Sequence, residues 1–273
     1  MNCMICGSKC AYFFSKQYAE YPFSEFMREI GEVEYHKCIS CGFVLSKTHS
    51  ELSNVEWSKL NEDFHYFLEN EIASGKISQP PYAEQAMMIS LLEKNEIIDS
   101  TAMLDYAAGY GTLSNILNRY FHIALPVYDP YIKSPGYAHY LEKPDPHCYS
   151  AVINSAMFEH VLNRNDLDNV NNLVHEKGSL IIHTVVCENI PKDPDWFYLR
   201  PPVHTAFHTN KSMEILMQQW GYKSSLYCPP AKSWILLRAP IDSVQQQVEA
   251  INKELQCKWF HCKEGFVDYW KGF

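Results

Sequence analysis

The chain has 273 residues, of which 47% are hydrophobic and 20% charged, with a formal net charge of −9 at pH 7. This length suits one sizeable α/β core with a small appended module. The acidic balance disfavours nucleic acid as a partner. No apolar run approaches the ~18 residues of a membrane span and no apolar leader follows Met1, so we expect a cytoplasmic protein with no membrane partner.

Segment 1–48 has the features of a small metal module. Four of its five cysteines form two Cys-x-x-Cys pairs, each followed by glycine: Cys3, Cys6, Cys38 and Cys41. Two such pairs can bring four thiolates onto one tetrahedral Zn²⁺, and a site filled by protein points to structural zinc. The 31 residues between Cys6 and Cys38 predict a long insert. Cys10 and His36 are alternative ligands.

Segment 49–100 is predicted to be a helical lead-in to the main domain. The helical pattern breaks at 79–81 and resumes with Ala86, Ile89 and Leu92 on one apolar face. Tyr82, at the start of the second helix, is a candidate to cover a cofactor.

Segment 101–273 is predicted to be an α/β domain, because short apolar runs alternate with helical stretches as in a parallel sheet. Candidate strands are 102–105, 125–129, 151–154, 179–186, 223–227 and 233–238. A helix is predicted over 209–220, with Gly221 as its C-terminal stop.

The first of these strands runs into a turn of small residues, Ala107 to Gly111, and then into a helix. Small residues let the backbone approach a ligand closely, and the helix N-terminus offers free amides. Asp129 closes the next strand, where a carboxylate can bind both hydroxyls of a ribose. The pattern indicates a nucleoside-containing cofactor.

These residues resemble the first two motifs of class I S-adenosylmethionine-dependent methyltransferases. The resemblance implies a Rossmann-like α/β fold with a mostly parallel seven-stranded sheet. It also implies S-adenosylmethionine as the cofactor, held by Asp105, Gly109, Gly111 and Asp129. Ala107 stands where the family usually has its first glycine. A nicotinamide site is the competing interpretation, but it requires a third glycine that Ser114 and its neighbours do not supply.

The resemblance extends over about 140 residues. Segment 149–161 looks like the family's fourth strand with its Glu-His-Val ending, and 178–182 looks like the fifth. Ser150 replaces a common aspartate, and the stretch between Asp129 and Tyr149 is short for a third strand and helix. We therefore expect a reduced third unit.

A sulfonium methyl group is already activated, so the protein mainly aligns the acceptor and removes a proton where needed. Glu159 and His160 are the predicted catalytic pair, with the carboxylate orienting the imidazole. His183, His204 and His208 are the other candidates for the base. In combining this pair with an N-terminal zinc ribbon, the chain resembles sugar C-methyltransferases that act on nucleotide-linked deoxysugars. Those enzymes carry a further C-terminal domain.

The Pro-rich segment 187–204 is predicted to cover the acceptor, because ligands bind at the carboxyl ends of the strands in this fold. Its predicted substrate contacts are Trp196, Tyr198, Arg200 and His204. Alternatively, its aromatic side chains only pack the segment onto the sheet.

The favoured function is methyl transfer to a small-molecule acceptor, with a sugar or nucleotide sugar as one candidate. Two alternatives stay open: a catalytically inactive methyltransferase-fold binding protein, and a ribosomal RNA methyltransferase with a zinc ribbon. The missing Lys/Arg-rich stretch disfavours the RNA enzyme. C-, N- and O-methylation are equally compatible with these residues.

Overall fold

A computed structural model describes residues 1–73, 80–132 and 139–268. Its strands are β1 (Cys10–Lys16), β2 (Val33–Cys38), β3 (Val44–Ser46), β4 (Met103–Tyr106), β5 (Val127–Tyr128), β6 (Tyr149–Ser155), β7 (Val174–His183), β8 (Val186–Cys187), β9 (Ala206–Thr209), β10 (Ser224–Cys228), β11 (Ser233–Leu237) and β12 (His261–Glu264). Its α-helices are α1 (Phe23–Phe26), α2 (Lys47–Ser50), α3 (Asn54–Ala73), α4 (Tyr82–Lys94), α5 (Thr112–Ile116), α6 (Arg164–Leu173), α7 (Asn210–Gln219) and α8 (Gln245–Glu254).

The larger sheet has seven strands in the order β12-β10-β11-β7-β6-β4-β5. Strands β5, β4, β6 and β7 are parallel neighbours, whereas β11 and β12 run in the opposite direction. The buried strands pack against helices through apolar clusters on both sides. The predicted fold class, a Rossmann-like class I methyltransferase fold with a mostly parallel seven-stranded sheet, is confirmed.

All six predicted strands are present, although some bounds differ. Strand β7 begins at Val174 and ends at His183, where the prediction ran from 179 to 186. The seventh strand, β12, was not predicted because its sequence HCKE is polar; in the structure it is half-exposed and pairs with β10.

A reduced third unit was expected after β5. In the described residues, this region contains an isolated parallel bridge between Val127 of β5 and Tyr140. Part of that segment, 133–138, lies outside the described residues.

A second sheet joins the N-terminal segment to the main domain, in the order β1-β2-β3-β9-β8. Strand β3 pairs antiparallel with β9, so that Val44 lies opposite Phe207. Val44 and Leu45 are both buried. Without β9, strand β3 would be an apolar edge strand, and such a strand requires a partner. The segments on the two sides of the predicted boundary near residue 48 therefore share one sheet. The domain boundary itself stays a prediction.

The predicted helices agree with the structure. In α4, Ala86, Ile89 and Leu92 are fully buried. Helix α7 begins after Thr209, whose side chain accepts a hydrogen bond from the Ser212 amide in a capping arrangement. Among the described residues, no helix is both long enough and apolar enough to span a bilayer.

Gly178 lies where the register between β6 and β7 shifts. A Cβ atom at this position would meet the Ser150 carbonyl oxygen at 2.8 Å and the Tyr149 carbonyl oxygen at 2.9 Å. We expect Gly178→Ala to lower the free energy of unfolding by about 1–3 kcal/mol, as overpacking does. Denaturant unfolding measures this. The exposed neighbour Lys177 provides the control, and a Gly178→Ala protein as stable as Lys177→Ala would contradict the expectation.

Candidate functional site

The four paired cysteines converge in one cluster. The sulfurs of Cys3 and Cys41 lie 3.6 Å apart, and those of Cys6 and Cys38 lie 3.4 Å apart. All four sulfurs lie within 4.8 Å of one another. Bonds of about 2.3 Å to a tetrahedral Zn²⁺ separate sulfurs by about 3.8 Å, so the observed arrangement fits such an ion.

Backbone amides support this cysteine cluster. The amide of Ile5 donates to the Cys3 sulfur at 3.4 Å, and the amide of Ser40 donates to the Cys38 sulfur at 3.4 Å. Such bonds favour thiolates and orient them. The cluster is tied to the main domain, because the Thr209 hydroxyl donates to the Cys41 carbonyl at 2.5 Å.

The turn after β4 has an unusual backbone. Ala107, Gly109 and Gly111 all have left-handed φ values, of 59°, 54° and 71°. Glycine adopts this conformation freely, whereas alanine there costs about 1–2 kcal/mol. Ala107 therefore holds a strained position at the point where the chain leaves the sheet.

Asp129 fastens this turn. One carboxylate oxygen accepts from the Gly109 amide at 2.8 Å, and the other accepts from the amides of Tyr131 and Ile132, each at 2.8 Å. Burial raises the pKa of Asp129, and these three bonds lower it. A carboxylate has about four lone-pair sites. One acceptor site therefore remains for a ligand hydroxyl.

Asp105 and Asn154 lie at the carboxyl ends of the adjacent strands β4 and β6. Within the described parts of the chain, Oδ1 of Asp105 and Oδ1 of Asn154 are buried and have no hydrogen-bond partner. Burial, followed by the charge of Asp129, raises the pKa of Asp105 to about 8. Buried polar atoms are usually paired, so these two mark a place where a ligand group fits.

Helix α4 borders the same strand ends. Gln85 accepts a hydrogen bond from the Ser155 hydroxyl at 3.1 Å. Tyr82, one turn earlier, is half-buried and packs against the apolar cluster that contains Ala86. Its predicted role in covering a cofactor stays a prediction.

Glu159 is buried just beyond β6, and both of its carboxylate oxygens accept hydrogen bonds. The Tyr198 hydroxyl donates to one at 2.7 Å, and the Thr184 hydroxyl donates to the other at 2.9 Å. Burial raises the pKa of Glu159, against the opposing effect of these bonds. The carboxylate is therefore held in one orientation by two neutral donors.

Three histidine rings meet beside Glu159. The ring centroid of His160 lies 5.4 Å from that of His65 and 5.0 Å from that of His204. Burial lowers the pKa of all three, to about 4 for His65 and His204. At neutral pH the imidazoles are therefore uncharged, and each ring keeps one nitrogen lone pair.

The segment before β9 supplies two of the predicted substrate contacts to this cluster. Tyr198 bonds Glu159, and the ring of His204 lies 4.5 Å from the ring of Tyr198. Trp196 is half-buried, with its ring 5.4 Å from that of Phe207. Arg200 is exposed, with its guanidinium 5.8 Å from the Phe23 ring.

The structure brings Tyr198 and His204 to Glu159 and His160. The Trp196 ring lies 5.5 Å from that of Tyr198, whereas the Arg200 guanidinium lies against Phe23. Trp196 and Arg200 remain predicted substrate contacts.

Three residues of this region escaped the sequence analysis: His65, Thr184 and Asn154. His65 is a single histidine within α3, and no local pattern connects it with residues almost a hundred positions later. Asn154 ends a predicted strand, so its place at the carboxyl edge was the only available signal.

No family model and no curated protein matches the chain. Among solved structures, an O-methyltransferase family protein from Burkholderia thailandensis is similar over 68% of this chain and 61% of its own, with 15% identity and a TM-score of 0.44. The chain thus spans less than two thirds of the length of that protein.

Two further solved structures are similar. The plantazolicin methyltransferase BpumL in complex with SAH has 10% identity and a TM-score of 0.44, over 68% of this chain and 99% of its own. Coclaurine N-methyltransferase bound to N-methylheliamine and SAH has 16% identity and a TM-score of 0.35, over 48% of this chain and 47% of its own. At these values the function must be argued from the residues of the site.

The raised pKa of Asp105 predicts a pH-dependent stability. Because its folded pKa of about 8 exceeds the ordinary value of about 3.9, the folded state binds this proton more tightly. The resulting stabilisation is complete below about pH 4 and is lost as the pH rises toward 8. Asp105→Asn does not titrate, so we expect its melting temperature relative to wild type to be higher at pH 9 than at pH 5.

Thermal melts of the ligand-free protein at pH 5, 7 and 9 measure this difference. The exposed Asp145 provides the control, since Asp145→Asn should differ from wild type by the same amount at each pH. A difference for Asp105→Asn that does not change with pH would refute the raised pKa.

Proposed function

We propose that the chain is an S-adenosylmethionine-dependent methyltransferase that acts on a small-molecule acceptor. The observation that carries the proposal concerns two buried oxygens, on Asp105 and Asn154, that have no hydrogen-bond partner among the described residues. They lie at the carboxyl ends of adjacent parallel strands, beside the turn with left-handed residues. Ligands of open α/β sheets bind at this edge. An unpaired buried oxygen is costly unless a ligand donor reaches it.

The residues around the turn suit a nucleoside. Gly109 and Gly111 let a ligand approach the backbone, and no atom of the described residues lies within 4 Å of a Cβ placed at Gly109. Asp129 would bind ribose hydroxyls through its remaining acceptor site, or by releasing the Gly109 amide. Asp105 would accept or donate a hydrogen bond according to its protonation. When bound, S-adenosylmethionine supplies a methyl group already activated as an electrophile.

Glu159 and His160 are proposed to act on the acceptor. They follow β6 directly, next to the strand that carries the turn, so acceptor and cofactor groups would meet at one sheet edge. His160 is uncharged and Glu159 is fixed by Tyr198, so the pair would orient a polar group of the acceptor at this edge. Trp196, Arg200 and His204 are the proposed further acceptor contacts.

The proposed acceptor class is a sugar or nucleotide sugar, because the chain combines a Glu-His pair with an N-terminal cysteine cluster. An exposed cation at Arg200 and an aromatic ring at Trp196 suit the phosphate and base of such a molecule.

The cysteine cluster is proposed to hold structural Zn²⁺, because four protein sulfurs leave no position for water or substrate. Thr209, which ends β9 and caps α7, donates a hydrogen bond to the Cys41 carbonyl oxygen. The cysteine cluster is thus linked to the strand that follows the proposed acceptor segment 187–204. Zinc would therefore stabilise the sheet that carries the acceptor segment.

Calorimetric titration with S-adenosylhomocysteine tests the cofactor site. We expect the wild-type protein to bind and Asp129→Ala to lose at least about ten-fold in affinity, since the turn and the ribose acceptor are removed together. Asp99→Asn is the matched control, because Asp99 is exposed near the opposite, amino end of β4 and should not alter binding.

A folded wild-type protein that does not bind S-adenosylhomocysteine would favour a binding protein that has lost catalysis. The strained Ala107 and the nearly saturated Asp129 are the observations that favour this second candidate.

The zinc assignment predicts that the double variant Cys38→Ser and Cys41→Ser holds one metal ion per chain fewer than wild type and melts at a lower temperature, because a structural zinc contributes folding free energy directly. Metal analysis and thermal melts measure both. Cys148 and Cys257 are exposed, and their double serine variant is the control. Equal metal content in the two double variants would contradict the assignment.

A further inference from the structure

A second set of ligand-type side chains lies apart from the cysteine cluster. Glu159, His160 and His204 each offer one ligand atom, and these atoms all lie within 4.8 Å of one another. Two imidazoles and one carboxylate form a ligand set typical of Zn²⁺ and other divalent transition ions. Three protein ligands leave at least one coordination position free, unlike four cysteines.

One of these three side chains has a buried nitrogen whose lone pair or proton is unpaired. The Nδ1 atom of His160 is buried and has no hydrogen-bond partner in the described ranges of the chain. A buried imidazole nitrogen without a partner is destabilising. A cation bound there would remove this cost.

The other two ligands already have the outer contacts that metal ligands require. The Nδ1 of His204 lies 2.7 Å from the Tyr198 carbonyl oxygen. A carbonyl only accepts, so Nδ1 donates and Nε2 of the neutral ring keeps its lone pair. Metal-bound histidines commonly donate their second nitrogen to a carbonyl in this way.

Glu159 is oriented in the same manner. The hydroxyls of Tyr198 and Thr184 donate to its two oxygens at 2.7 and 2.9 Å. Each carboxylate oxygen has two lone pairs, so each keeps one for a cation. Tyr198 thus supports two ligands, through its hydroxyl and through its carbonyl.

We propose that Glu159, His160 and His204 form a second metal site, which takes a divalent cation such as Zn²⁺ and leaves a coordination position for an oxygen or nitrogen of the acceptor. The use of this site rests on the proposed methyl transfer, whereas its existence does not. The ring of His65 lies 5.4 Å from that of His160, so a third imidazole lies next to the trio.

Metal content of the full chain tests this site without cofactor or acceptor. The protein is loaded with excess Zn²⁺, dialysed against metal-free buffer and analysed for zinc. We expect two ions per chain in wild type, one in the Cys38→Ser and Cys41→Ser double variant, one in His160→Gln, and none when the three substitutions are combined. The exposed His175 supplies the control, and His175→Gln should keep two ions.

A single ion in wild type that is retained in His160→Gln overturns the proposal, even if other variants fail to fold. A variant that keeps every ligand adds a second measurement. Loss of an outer contact typically lowers metal affinity about 10- to 100-fold, so Tyr198→Phe should weaken binding of the second ion by at least about ten-fold. Unchanged affinity in Tyr198→Phe and in His204→Gln would also reject the site.

Calorimetry with S-adenosylhomocysteine separates this proposal from the proposed function. Two bound ions without nucleoside binding would leave the metal site standing and reject the methyltransferase. Binding of S-adenosylhomocysteine by a protein that holds only the cysteine-bound ion would support the proposed cofactor site and reject the second metal site.

Discussion

The antiparallel pairing of β3 with β9 is the constraint on which the functional region depends. Strands β8 and β9 have two and four residues, too few to form a stable sheet alone, and β3 gives them a buried partner. Beside that pairing, the Thr205 amide donates to the Glu159 carbonyl oxygen at 2.7 Å. The position of Glu159 thus depends on contacts that begin in the N-terminal segment.

This pairing explains why the cysteine cluster belongs to the functional region although its metal would touch no substrate. The sulfurs hold the ends of β1, β2 and the loop before β3, and Tyr35 of β2 donates to the His204 carbonyl oxygen at 3.4 Å. Tyr18 donates to the Leu199 carbonyl oxygen at 3.0 Å. The N-terminal segment therefore packs against segment 187–204, for which acceptor binding is proposed.

Features with a local cause could be predicted from the sequence, and those with a non-local cause could not. The buried strands were predicted from apolar runs, and the cysteine cluster was predicted from the spacing of the two cysteine pairs. The pairing of β3 with β9 and the approach of His65 to His160 join residues far apart, so no periodicity encodes them. Asp105 was found through its place before a small-residue turn, whereas its raised pKa required knowledge of burial.

The distance along the chain between β3 and β9 has a consequence for synthesis. Leu45 and its partner Ala206 are 161 residues apart, which at about 5–20 residues per second corresponds to roughly 8–30 seconds of translation. During that interval the apolar edge of β3 is a template for pairing with another nascent chain. Early capture of zinc by the cysteines would fold β1 to β3 before β9 emerges, and β3 would then stay an unpaired edge until β9 is synthesised.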